Sequence, residues 1–416
     1  MDAEPETLLL SAAQVITAED GVAIENGAVL VRGQEIVEVG SRDALARGHD
    51  GAEFVFEGQT LLPGLVDCHE HLTGSDKYGS ADPYDRETDA MYALVAAYHC
   101  GRLLHKGVTT ARVPSLRSRV DLSVRKAIEE GFLLGPRLFC AGHMITMDGG
   151  HGAGYGVEVT GSAEAARAAR QNIAAGADFI KLAASGGIGV FEPGDRPNKP
   201  QLTRAELAAA IEVAHNAGRP ATAHANGEEG IGNALAAGID CIEHGIFLTE
   251  AQAKDLAARD VKLVPTIHCI RQIADRWQEF SVPPIWGELA QASLEPHLES
   301  FRHAVASGVI YGVGTDGYGE QVDELEIFTS VGVSAIDAIK AATWHGALIC
   351  TPDPTFGQLR AGFAADIVAV RGDPLTSLEV LREPSLVLLG GEVVGGTDAA
   401  SDAVAAALPI SALPAH

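Results

Sequence analysis

Positive charge is scarce in this chain. Thirty lysines and arginines stand against 56 aspartates and glutamates, giving a formal net charge of −26. Such a surface repels phosphate backbones and anionic lipid, so neither nucleic acid nor a membrane surface is an expected partner. No run of about 18 apolar residues occurs, so no membrane-spanning helix is expected. The opening decapeptide, Met1–Leu10, begins acidic and has no Lys/Arg stretch. Its apolar run is too short for a secretory leader, and none is expected. The six cysteines (Cys68, Cys100, Cys140, Cys241, Cys269 and Cys350) form no CxxC pair. Scattered thiols of this kind are expected to be reduced and mostly buried in a cytoplasmic protein. No short repeat or low-complexity linker breaks the chain.

What is present is apolar material and turns. Hydrophobic residues make up 46% and glycines number 47, enough for a large core with many tight turns. A length of 416 residues suggests two or three domains at about 150 each, although one α/β barrel reaches about 250. Residues 7 to 60 carry short strand candidates: Leu8–Leu10, Gly27–Arg32, Glu35–Val39 and Phe54–Phe56. The C-terminal part repeats this texture at Asp366–Val370, Leu386–Leu389 and Glu392–Val394. Residues 1–60 and 355–416 are therefore expected to form one small β-sandwich domain. The Ala/Ser/Pro-rich tail after Thr397 is expected to be poorly ordered or to pack in an oligomer.

Residues 61–354 have another rhythm. Eight apolar runs stand out: Leu61–His71, Gly107–Val113, Pro136–Gly142, Ala177–Ser185, Arg219–Asn226, Ile239–Gly245, Val261–Ile267 and Val309–Gly317. Helical stretches intervene at Glu87–Lys106, Ala163–Ala175, Thr203–Ala217, Gly227–Ala237 and Thr249–Ala258. Continuous apolar strands alternating with helices indicate an α/β fold with a parallel sheet buried on both faces. Eight units fit a (β/α)₈ TIM barrel, with a doubly wound sheet as the alternative.

Polar residues fall near the ends of these runs. His69 and His71 lie two apart, on one strand face. Two imidazoles so placed suit Zn²⁺ or a similar divalent ion. Lys181, His224, His244 and Asp316 interrupt later runs. Each alone has an ordinary structural reading, a buried histidine with a hydrogen bond or a lysine with an ion pair. A barrel brings all its strand C-termini to one face, where the five sites would converge. Asp67 is expected to orient a ligand or cap a turn. Glu243, one residue before His244, should point away from its face and is read as structural. The Ser185–Gly189 loop lacks a following Lys-Ser/Thr and is not a phosphate loop.

These residues carry a resemblance. Leu62–Asp67 leading into His69 and His71, Ile180–Gly187 (IKLAASGG), Gly238–Gly245 (GIDCIEHG), Gly149–Gly152 (GGHG) and Gly362–Val368 (GFAADIV) resemble the amidohydrolase superfamily along essentially the whole chain. The likeness is to its lysine-bridged binuclear branch, with prolidase-like dipeptidases, Xaa-Arg/Lys carboxypeptidases and ochratoxin-type amidases. The resemblance implies that His69, His71 and Asp316 bind one divalent ion and His224 and His244 a second, with Zn²⁺ favoured. Lys181 would be carbamylated by CO₂ and bridge both. It implies metal-dependent hydrolysis of a carbon–nitrogen amide bond in a small molecule (a dipeptide, an N-acyl amino acid or an aryl amide). A hydroxide shared by the ions would attack, with Asp316 as general base and then acid. His151 would steady the oxyanion, with His143 competing for that role. His143, His268 and Tyr318 are candidate substrate contacts. Arg112 is either an anion clamp or a salt-bridged structural residue. Asn226 stands where carboxypeptidase-like relatives often carry an aromatic residue, which weakens recognition of a free carboxylate. A homo-oligomer is implied. Two other readings compete: a mononuclear deaminase or cyclic-amide hydrolase of the imidazolonepropionase type, which generally lacks the lysine, and a non-enzymatic scaffold.

Overall fold

The computed structural model describes residues 7–19, 23–49, 51–72, 88–189, 195–280, 282–397 and 404. Both chain ends build one mixed sheet. Its strands are β1 (Thr7–Ile16), β2 (Ala23–Arg32), β3 (Glu35–Ser41) and β4 (Ala52–Pro63), joined by three late strands, Ile367–Arg371, Leu386–Leu389 and Glu392–Gly395. β4 is twelve residues long. It pairs in parallel with β1 through Ala52–Phe56, Thr60 and Leu61, and antiparallel with Ile367–Arg371 through Gln59–Pro63. One long strand thus stitches the N- and C-terminal segments together. The expected sandwich is, among the described residues, a single seven-stranded sheet because β4 pairs on both sides. The tail after Thr397 lies outside the described residues, except Val404, which is buried in this sheet's apolar cluster.

The middle of the chain is parallel. β5 (Leu65–Asp67), β6 (Val108–Val113) and β7 (Arg137–Cys140) form one sheet. A second contains β8 (Ile145–Met147), β9 (Val157–Val159), β10 (Ile180–Ala183), β11 (Ala221–Ala225), β12 (Cys241–His244) and β13 (Lys262–Val264). β8 and β9 flank the GGHG loop and were not legible in the sequence. Hydrogen bonds link the sheets at both ends. Asp178 N donates to Cys140 O at 2.8 Å, just ahead of β10. The eighth apolar run makes no regular strand, but it bridges Leu263 to Tyr311 and accepts from Cys68 N at Val313 O, 2.7 Å. Asp316 N returns a bond to His69 O, also 2.7 Å. Gly314 permits this approach, because a Cβ there would lie 2.7 Å from the His69 Cβ.

Helices cover the parallel strands, and the expected ones appear at Asp89–His105, Ser162–Ala174, Arg204–Asn216, Glu228–Ala237 and Glu250–Ala258. Thr203 and Thr249 start two of them with capping boxes. Arg204–Asn216 buries Leu207, Ala210, Ile211 and Ala214, one helical stripe. Small residues on such stripes let helix backbones approach the sheet closely. The chain also forms helices at Ile267–Arg276, Pro284–Ser307 and Gln321–Ser330. No helix among the described residues is long and apolar enough to cross a membrane.

A buried carboxylate joins the mixed sheet to the parallel strands. Asp366 accepts from Arg137 Nη1 on β7 at 2.6 Å and from Gly390 N at 2.8 Å. Arg137 also donates to Thr110 and lies over the Phe356 ring. Asp366→Ala is therefore expected to destabilise the fold by about 2–3 kcal/mol, the cost of losing charge-assisted hydrogen bonds at a buried site. Urea unfolding checks this, and an unchanged midpoint contradicts it.

Candidate metal centre

Strand ends deliver the donors. His69 and His71 follow β5, Lys181 lies on β10, His224 on β11 and His244 closes β12. Asp316 comes from the eighth run. The His69 ring centroid is 5.2 Å from His71 and 5.0 Å from His244, and His224 is 4.5 Å from His244. Ligand atoms of His69, His244 and Asp316 lie within 4.8 Å of one another. That trio spans the two expected ligand sets, so the two sets adjoin.

Backbone conformation makes the convergence. His244 and Asp316 have φ of +69° and +54°, in the left-handed region where L-residues are strained. The β11–β12 register sets His224 opposite Glu243, so these two share a face with Thr222 and Lys181. Simple alternation would turn His244 away from that face, and its positive φ brings it back. The expectation that Glu243 points away is thereby corrected. Glu243 faces the site, and His244 is the residue that departs from strand geometry.

Each imidazole has one nitrogen committed elsewhere. His69 Nδ1 donates to Glu243 Oε2 at 2.8 Å, and His71 Nδ1 donates to Ser115 O at 2.9 Å. His244 Nδ1 pairs with Thr266 Oγ1 at 2.6 Å. His224 Nε2 meets Gly186 O at 3.1 Å. This leaves Nε2 of His69, His71 and His244, and Nδ1 of His224, to hold an ion. Outer partners of this kind fix tautomer and ring orientation in metal sites.

The donor atoms fit a first-row divalent ion. His69 Nε2 and His71 Nε2 are 3.3 Å apart, and Asp316 Oδ1 is 3.4 Å and 3.1 Å from them. Tetrahedral ligands at the usual zinc bond lengths stand about 3.3–3.4 Å from each other. Burial, with the charge of neighbouring histidines, holds His224 and His244 well below the ordinary histidine range. They are thus neutral, as metal ligands must be. Burial alone would raise the Asp316 carboxyl, but His69 and His71 outweigh it and hold Asp316 well below the usual carboxylate range. The same carboxylate raises His71 against its burial.

Lys181 is only 3% exposed. Burial brings its ammonium down to about 8, against the attraction of Glu243. Among the described residues its amine makes no hydrogen bond or ion pair. A desolvated amine of this kind suits reaction with CO₂, because the nucleophile is the neutral form.

Behind the donors sits Glu243, which is completely buried. Besides His69 it accepts from Arg112 Nη1 at 2.6 Å and from Thr222 Oγ1. Arg112 also donates to Cys68 O and stacks over Phe179 at 4.2 Å. Arg112 is thus committed to Glu243, matching its salt-bridged reading rather than an anion clamp. Asp67 caps the turn it precedes, accepting from His69 N at 3.0 Å.

His151 lies flat on His224, with centroids 4.0 Å apart, and its Nδ1 is 3.3 Å from buried Asp195 Oδ2. Gly187 makes room for it, since a Cβ there would come within 2.3 Å of its ring. His143 is half-buried and its Nδ1 has no partner among the described residues. His268 meets Gln272 at 2.8 Å and Asp323 at 3.5 Å, and Tyr318 packs edge-on against Phe280. Of these candidates, His151 is the one stacked directly on a member of the donor cluster among the described residues. Two contacts had no sequence signal. Cys269 Sγ donates to Asp316 Oδ2 at 3.4 Å, and His297 Nε2 donates to His244 O at 2.9 Å.

Parallel strands whose ends gather histidines, a carboxylate and a buried lysine define an α/β enzyme with a site able to hold metal. Residues 60–394 match the amidohydrolase family, and the chain belongs to that family of hydrolases acting on carbon–nitrogen bonds. Ochratoxinase from Aspergillus niger is 30% identical over 403 residues, covering 88% of this chain and 82% of that protein. Its crystal structure matches with a TM-score of 0.84 at 28% identity, over 95% of this chain and 97% of that one. A prolidase complexed with N-methylphosphonate-L-proline matches with a TM-score of 0.86 at 28% identity, over 94% and 100%.

Two outcomes follow from this geometry. Glu243→Gln weakens metal binding about 10–100-fold, because His69 loses its charged partner. Competition with a chelating dye measures this, and unchanged affinity contradicts it. If Lys181 takes up CO₂, recovery of metal binding after chelation is expected to slow as pH falls below about 8, where the amine becomes protonated. A recovery rate independent of pH contradicts that.

Proposed function

We propose that this protein hydrolyses an amide bond with two divalent ions, Zn²⁺ favoured, at the mouth of a closed (β/α)₈ barrel spanning residues 61–354. His69, His71 and Asp316 would hold one ion and His224 and His244 the other, with carbamylated Lys181 between them. The observation that carries this reading is Lys181, a buried amine with no hydrogen-bonding or ion-pairing partner among the described residues, in a cluster of neutral histidines. Closure of the barrel is supported by the bonds from Asp178 N to Cys140 O and from Cys68 N to Val313 O.

When bound, the ions polarise the amide carbonyl and bring the pKa of the attacking water towards neutrality. The chain supplies the rest. Asp316 takes the water proton and delivers it to the leaving nitrogen. Cys269 and the backbone bond from Asp316 N keep that carboxylate in place. His151, with Nδ1 held by Asp195, offers a hydrogen bond from Nε2 to the developing oxyanion.

The substrate class is a small amide: a dipeptide, an N-acyl amino acid or an aryl amide. The likeness to ochratoxinase and to a prolidase supports it. Asn226 is buried, with its amide donating to Gly186 O at 3.1 Å, so it is not available to a substrate carboxylate. This favours substrates that need no free carboxylate at that position. Six buried, unpaired cysteines support a cytoplasmic setting. Self-association is part of the proposal, supported by Met91, Leu94 and Tyr98, which stand exposed along one side of helix Asp89–His105.

A panel of dipeptides, N-acyl amino acids and aryl amides tests the reading. Hydrolysis is expected to stop on chelation and return with a divalent ion. Lys181→Ala is expected to lower kcat/KM about 100-fold or more, since metal assistance is worth several kcal/mol. Wild-type rates in the metal-replete Lys181→Ala protein contradict the two-ion form.

A further inference from the structure

Helix Ile267–Arg276 is not capped by the threonine that precedes it. Elsewhere in the chain such threonines do cap. Thr203 and Thr249 stand in extended backbone, with φ of −66° and −79°, and each hydroxyl accepts an amide from the first turn of its own helix. Thr266 holds the same place ahead of Ile267, yet its φ is +53° and its side chain makes no capping bond among the described residues. Its Oγ1 accepts from Nδ1 of His244 instead, at 2.6 Å. The first amides of a helix have no partner within it, so this diversion leaves them to be satisfied from elsewhere.

Glu324 supplies the missing cap. It stands on helix Gln321–Ser330 and is completely buried. Its Oε1 accepts from Ile267 N at 2.8 Å and its Oε2 from His268 N at 2.6 Å. The second of these is an amide that an N-cap hydroxyl ordinarily takes. A carboxylate on two backbone amides at a helix N-terminus is also favoured by the helix dipole.

We propose that Glu324 is a positioning residue for the metal centre, capping helix Ile267–Arg276 from outside so that Thr266 stays left-handed and its hydroxyl holds His244. The inference rests on the reading of His244 as a metal ligand. With Glu324 in place, Thr266 Oγ1 keeps Nδ1 of His244 protonated, which leaves the Nε2 lone pair for the ion. Without that carboxylate, the amides of buried Ile267 and His268 lose their partners. An unsatisfied buried amide costs more than one hydrogen bond contributes. Thr266 then relaxes to extended backbone and takes the His268 amide, much as Thr203 and Thr249 serve their own helices. Relaxation also removes the strain of a positive φ. His244 loses its outer partner, and with it the tautomer and ring orientation that suit an ion.

Zinc affinity of the full chain, measured by competition with a chelating dye, tests this. Glu324→Gln turns one acceptor into a donor, and Thr266→Val removes the hydroxyl. Each is expected to weaken binding of the ion that His244 holds by about 10–100-fold. The double variant is expected to lie within about twofold of Thr266→Val alone, because Glu324 acts through a hydroxyl that is already gone. Thr266→Ser keeps the hydroxyl and is expected to retain wild-type affinity. Glu324→Asp, too short to reach both amides, is expected to give a smaller loss in the same direction. It takes the place of Glu324→Gln if thermal melting shows the latter to be unfolded. The number of ions bound in the same titration bears separately on the two-ion reading. One ion per chain, with the Glu324–Thr266 coupling intact, counts against two ions and supports the role of Glu324. Three results overturn the proposal: wild-type affinity in a folded Glu324 variant, wild-type affinity in Thr266→Val, or losses that multiply in the double variant.

Discussion

One buried carboxylate ties this centre together. Glu243 stands on β12 and reaches Arg112 on β6, Thr222 on β11 and His69 after β5. Four strand segments therefore share one anion. Burying that charge is costly unless it is paired and fully hydrogen-bonded, and here both conditions are met. Arg112 neutralises it, and in spite of burial Arg112, with Lys181 and His69, holds the Glu243 carboxyl well below its ordinary range. The anion in turn keeps Nδ1 of His69 protonated and Nε2 turned to the centre. Removing Glu243 or Arg112 leaves the other as an unpaired buried charge, so the pair also fixes how the strands meet.

Geometry at the centre rests on strained strand ends. His244, Asp316 and Thr266 all have positive φ. Thr266 Oγ1 holds Nδ1 of His244, and His297 holds its carbonyl. Bonds on both sides of His244 maintain a conformation that the isolated chain would avoid. The loop after β10 plays a similar part on the other side, where Gly186 O fixes His224 and Gly187 leaves room for His151. The centre is therefore held from outside by groups that need not touch substrate.

The candidate donors stood out in the sequence because their residue types are out of place. A lysine inside Phe179–Leu182 and histidines ending apolar runs contradict burial, and contradiction of that kind marks function. Helices were legible from Ala-rich periodicity. The role of Glu243 was not, because it depends on the pairing of β11 with β12 and on one positive φ, neither of which a single strand records. The eighth run reads as a strand, yet Gly312 and Gly314 let it pass close to β5 and β13 with isolated bonds instead of a ladder. The single mixed sheet was missed because β4 looks like one short strand at Phe54–Phe56, whereas its second half pairs with the C-terminal segment. Arg112 was open to two readings until Glu243 was seen to face it.

The account turns on Lys181 linking two ions. Zinc-edge anomalous diffraction from crystals grown with zinc and bicarbonate, at a pH above about 8, tests it most directly. The account predicts two anomalous peaks, one beside His69, His71 and Asp316 and one beside His224 and His244, with density for a carbamate on Lys181 between them. A single peak with an unmodified Lys181 would contradict it.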